Sequence, residues 1–114
     1  MPYLKIQTNE TLAAEQTAAL LPRASRLVAE LLGKPERYVM VAMVADTPML
    51  FAGGDAPAAY LELKSIGLPE SLTGKLSAGL CSLMHEVLGI DPERVYIEFH
   101  DAARAMWGWN GGTF

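Results

Sequence analysis

A chain of 114 residues is long enough for one domain with one hydrophobic core and too short for two ordinary ones. With 51% apolar and 19% charged residues and a formal net charge of −4, it has the balance of a folded soluble protein, and its scattered Lys and Arg residues leave no basic stripe for nucleic acid. No stretch nears the ~20 apolar residues of a membrane span, and Lys5, Glu10, Glu15 and Arg23 interrupt any signal-peptide core, so the expected address is the cytoplasm.

Tyr3 to Thr8 alternates Leu4 and Ile6 with Tyr3, Lys5 and Gln7, which predicts a half-buried strand. A helix follows, with Thr11 as its expected N-cap and Leu20, Ala24, Leu27, Val28, Leu31 and Leu32 on one stripe before Gly33 ends it. Pro22 lies inside this helix and should bend it, because it removes the bond to the carbonyl of Ala18. Tyr38 to Ala45 is a Val-rich apolar run without alternation, read as a strand covered on both faces. After the turn residues Asp46, Thr47 and Pro48, the segment Met49 to Ala52 reads as a short edge strand, ended by Gly53-Gly54-Asp55. Ala58 to Ile66 is the next strand. A second helix starts between Pro69 and Thr73, carries Leu72, Leu76, Leu80, Leu83, Val87 and Leu88, and closes at Gly89. Val95 to His100 is the last main strand, before a Gly-rich tail with Trp107, Trp109 and Phe114.

The two halves repeat. Pro35-Glu36-Arg37-Tyr38-Val39 returns as Pro92-Glu93-Arg94-Val95-Tyr96 and Tyr3-Leu4 as Tyr60-Leu61, both 57 positions on. The expected fold is therefore α/β in the α+β sense: a single domain, 1–114, made of two βαβ units of about 1–57 and 58–114. Right-handed crossovers put both helices on one face of a four-stranded mixed sheet. The other face, partly apolar, would be buried against copies of the same chain, which predicts a homo-oligomer. Cys81 sits on an apolar helical face and reads as a packed thiol, while His85 and His100 stand without a second ligand nearby, so no metal site is expected.

Several short motifs stand in order along this frame: the opening MPYLKIQTN, Gly33-Lys34-Pro35 with Tyr38, Ser65-Ile66-Gly67, the stretch from Arg94 through Asp101, and Gly108-Trp109-Asn110 with Thr113-Phe114. Together they resemble the macrophage migration inhibitory factor family of the tautomerase superfamily over essentially the whole chain. The resemblance implies a homotrimer with active sites between subunits, and a keto–enol tautomerase acting on a small aromatic 2-keto acid such as phenylpyruvate, with dopachrome as a further candidate substrate, without a cofactor. It implies that Pro2 is the catalytic acid/base once Met1 is removed. It also implies that Lys34 and the backbone N–H of Ile66 hold the substrate carboxylate, and that Tyr96 comes from the neighbouring subunit. Tyr3, Tyr38, Lys64, Trp107, Trp109 and Phe114 would wall the pocket.

The chemistry suits such a group. Moving a proton between oxygen and the adjacent carbon calls for a residue that accepts and returns it near neutral pH. An α-amine starts near roughly 7.7 to 8.0, and burial or a nearby cation lowers it. By itself, Lys34 reads as a lysine complementing a helix C-terminus, and the aromatic residues are equally at home in a core. Three departures bear on substrate and activity. Glu98, by the resemblance a substrate-binding residue, stands where the family's animal members have asparagine at the far end of the pocket, and its carboxylate would disfavour anionic or phenolate-bearing ligands. Lys64 replaces a histidine, and Ala58 and Leu61 replace the CxxC cysteines, so no thiol–disulfide exchange is expected. The alternatives are a cytokine-like receptor ligand with a vestigial pocket, which would leave cells without a signal peptide, or a dehalogenase or decarboxylase of the same superfamily.

Overall fold

A computed structural model describes residues 1–114. Its elements run β1 (Tyr3–Thr8), α1 (Ala14–Leu32), β2 (Met40–Val44), β3 (Ala59–Ile66), α2 (Thr73–Leu88), β4 (Val95–Ala102), β5 (Gly108–Trp109) and β6 (Gly112–Thr113). β1 pairs with β2 in parallel and β3 with β4 in parallel, while β1 and β3 meet antiparallel, so the order is β2-β1-β3-β4. This is the expected four-stranded mixed sheet of two βαβ units.

Alternation in β1 and β3 sends Leu4, Ile6, Leu61 and Leu63 to one face. There they form a single core with Leu20, Ala24 and Val28 of α1 and Leu76, Leu80 and Met84 of α2. Both helices therefore cover the same face. Gly79 is where they touch: a Cβ there would come within 3.3 Å of methyls of Leu27 and Leu31. Thr8 and Ser65 are the buried polar residues. The Thr8 hydroxyl donates to the Ala58 carbonyl at 2.6 Å, and Asn9 both donates to the Asp55 and Ala56 carbonyls and accepts from the Ala58 N–H. The Thr-Asn pair thus stitches the end of the first unit's leading strand to the start of the second's.

Several expectations are corrected. The N-cap of α1 is Ala13, not Thr11, because the Thr11 hydroxyl is engaged by the Asp46 carboxylate and the Gln16 side chain accepts the Ala13 N–H at 2.8 Å instead. The helix continues unbroken through Pro22, which is exposed, so water can serve the carbonyl that the proline leaves free. β2 is shorter than the apolar run: Glu36–Tyr38 is a 3-10 turn, and the strand lies at a sheet edge with Met40 65% and Val44 37% exposed, not covered on both faces. Met49 to Ala52 is no strand. A single bridge between Phe51 and Gly54 closes a tight turn in which Ala52 and Gly53 have positive φ.

The repeat is also out of step by one residue after the leading strand. Leu4 and Leu61 are equivalent at 57, yet the left-handed helix ends Gly33 and Gly89 are 56 apart (89 − 33). Pro35 caps its 3-10 turn, whereas Pro92 is the first residue of the matching turn. The Pro-Glu-Arg identity is thus not a structural equivalence. The open face of the sheet is partly apolar: beside Tyr3, Met40, Ala42, Val44, Tyr60 and Tyr96 it carries Lys5, Gln7, Glu62, Lys64, Glu98 and His100.

Candidate active site

The start of the chain is drawn into the sheet. The Pro2 carbonyl accepts the Met40 N–H at 2.9 Å, extending the β1–β2 ladder by one rung, and Pro2 is fully buried. Above it opens a cavity of about 560 Å³. Tyr3, Met40, Ala42 and Lys64 come from the open sheet face, Tyr38 and Val39 from the approach to β2, and Trp107, Trp109 and Phe114 from the tail.

The tail becomes a wall through local chemistry. Asn110 and Gly111 both have positive φ, at 51° and 79°, which turns the chain back on itself and pairs β5 with β6. That hairpin stacks Trp109 on Phe114, with centroids 5.3 Å apart, and sets both edge-on to Tyr38 at 5.8 and 6.0 Å. Such contacts hold an aromatic slot open without a ligand.

Lys34 follows the left-handed Gly33, and its own N–H returns to the Ala29 carbonyl at 3.0 Å. Its ammonium reaches across to Gly67, 3.7 Å from where a Cβ would stand. Antiparallel pairing places Lys64 opposite Tyr3, so Ile66, two residues further along β3, lies alongside the beginning of the chain. Lys34, Ile66 and the chain's amino end therefore converge. Burial, and then the charge of Lys34, hold the Met1 amino group below its ordinary value of 8.0.

Tyr96 and Glu98 lie elsewhere. Both are exposed on β4, which β3 separates from β1, and neither borders the cavity of its own chain. Tyr96 packs against Phe51 at 4.8 Å, Phe51 lies under the Arg94 guanidinium, and Arg94 donates to the carbonyls of Phe51, Gly54, Ala56 and Pro57. Glu98 accepts the Tyr60 hydroxyl at 2.7 Å. Reasoning from sequence missed Arg37, Val39, Met40 and Ala42 of the cavity lining. Their signal was the alternation of Met40 and Ala42 on β2, obscured because the whole run is apolar. No group of three or more His, Cys, Asp or Glu is placed to hold a metal, and no helix is long and apolar enough to cross a membrane.

Comparison with known proteins agrees with this arrangement. The profile described as macrophage migration inhibitory factor (MIF) matches residues 1–114. Macrophage migration inhibitory factor of Mus musculus is 36% identical over 115 residues, covering 100% of this chain and 99% of its own. Among solved structures, the macrophage migration inhibitory factor homologue from Prochlorococcus marinus aligns with a TM-score of 0.93 at 42% identity, covering 98% of each chain. That of Toxoplasma gondii aligns at 0.93 and 32%, covering 98% of this chain and 99% of its own. In sequence and in fold, over its whole length, this chain belongs to the macrophage migration inhibitory factor family.

Proposed function

We propose that the protein is a keto–enol tautomerase of small aromatic 2-keto acids, with phenylpyruvate as a representative substrate and the Pro2 amine as its acid/base. The observation that carries this reading is a fully buried Pro2 at the base of an aromatic cavity, with Lys34 close to the same chain end. Removal of Met1 turns the Pro2 nitrogen from an amide into a secondary amine. Burial and Lys34 act on that amine as they act on the Met1 amino group, disfavouring its charged form. The neutral amine takes a proton from the carbon beside the carbonyl, breaking C–H and forming N–H. The resulting enolate oxygen is then protonated and the amine gives up its proton, so one proton has moved from carbon to oxygen; ketonisation is the reverse. Lys34 and the Ile66 N–H hold the carboxylate and stabilise the enolate charge. No cofactor is required.

In this reading the protein is a homotrimer, and a neighbouring subunit lays its Tyr96 and Glu98 against the cavity. Their exposure on β4, away from their own chain's cavity, supports that role. The test is ketonisation of enolic phenylpyruvate by protein whose intact mass lacks Met1. Pro2→Gly should lower kcat/KM by about 10²-fold or more, the usual weight of a positioned acid/base, with the assembly's mass unchanged. An undiminished rate in that variant would falsify the assignment.

A further inference from the structure

The cavity's charged lining has one sign. Arg37 and Lys64 border it and no Asp or Glu does, in a chain that carries 13 acids against 9 bases. Lys34, outside that lining, adds a third cation near the chain's amino end. Two ion pairs occur in the chain, Arg23 with Glu86 and Lys64 with Glu62, the latter at 3.8 Å, so Arg37 and Lys34 have no carboxylate partner. Arg37 is nevertheless held in place. Its guanidinium lies 4.8 Å from the centroid of the Tyr38 ring, which is itself braced by Trp109 and Phe114. A guanidinium resting on an aromatic face keeps its N–H edge free for a planar, bidentate acceptor.

Position separates the cations. Tyr3 is flanked by Met40 on one side and Lys64 on the other. At the usual strand spacing these rows stand on the order of 10 Å apart, and Arg37 lies in the turn leading into Met40. One carboxylate cannot satisfy both sides of such a cleft. Resting on the tautomerase reading, in which Lys34 and the Ile66 N–H take the carboxylate of the 2-keto acid, we propose that Arg37 is a specificity residue. It receives a second carboxylate at the cavity mouth, and the preferred substrates are aryl 2-keto diacids. The neighbour's Glu98 brings one negative charge to the shared site, where the three cations Lys34, Arg37 and Lys64 outnumber it.

The experiment compares phenylpyruvate with phenylpyruvate bearing a ring carboxylate. The Met1-free protein should favour the diacid by about five- to tenfold in kcat/KM, mostly through KM, as expected of one exposed charge-assisted contact. Arg37→Gln should bring the ratio near one, Arg37→Lys should restore part of it, and added salt should erode it. Equal use of both acids by the unaltered protein, or an unchanged ratio in Arg37→Gln, overturns the proposal. Absence of turnover with either acid would count against the tautomerase reading alone. Quenching of Trp107 and Trp109 fluorescence by the two acids then decides: a diacid preference lost in Arg37→Gln upholds the role of Arg37, and equal affinities reject it.

Discussion

The hydroxyl of Tyr60 illustrates how much a single contact changes a residue in this protein. Its hydrogen bond to Glu98, with desolvation and the charges of Glu98 and Glu62, pushes its pKa up to about 12 from 10.0. Because the folded value is the higher one, the contribution to stability is present below pH 10 and is lost as pH rises from about 10 through about 12. Absorbance titration should find a tyrosine ionisation step near pH 12 that Tyr60→Phe removes; a titration curve whose high-pH step survives in that variant would rule this out. Nothing in the sequence pointed to the pair, since positions 60 and 98 become neighbours only when β3 and β4 align. Lys34 was legible only through its motif. Its proximity to the chain's amino end and to Gly67 depends on how α1 ends, which periodicity does not reveal.

Among the elements, the helices were the most readable, because a 3.6-residue stripe of large apolar side chains has one consistent interpretation. Their contact with each other was not. It turns on Gly79, where even a methyl approaches Leu27 and Leu31 to 3.3 Å. Gly79→Leu should force α1 and α2 apart and cost about 1–3 kcal/mol, measurable by urea denaturation. A variant as stable as the parent would mean that the helices separate freely. The uniform apolarity of Tyr38 to Ala45 concealed that its strand lies at a sheet edge, since alternation is the only local cue to which face is covered. The tail hairpin was within reach, for Asn110-Gly111 is a strong turn signal, but strands of two residues have no period to detect.

For the whole molecule, the proposed trimer makes a prediction that no monomer could satisfy. If Pro2 and Tyr96 of one site belong to different subunits, Pro2→Gly and Tyr96→Ala proteins, each impaired alone, should regain activity after being unfolded and refolded together. Random assembly of equal amounts would rebuild about a quarter of the sites. No recovery in mixed assemblies would exclude shared sites. The exposed Met40, Tyr96 and Met106, at 65%, 65% and 82%, belong to a surface that the chain does not cover itself.

By itself the sequence determined the two βαβ units, the shared core face and the family, because these rest on periodicity and on ordered motifs that survive without coordinates. It also singled out Pro2, through the motifs around it. Only the tertiary structure decided that Pro2 is buried, that a tail hairpin and the approach to β2 close an aromatic cavity over it, and that Tyr96 and Glu98 face away from their own chain's cavity. Those outcomes depend on strand order, register and the closure of distant turns, which bring together residues whose local patterns carry no information about one another.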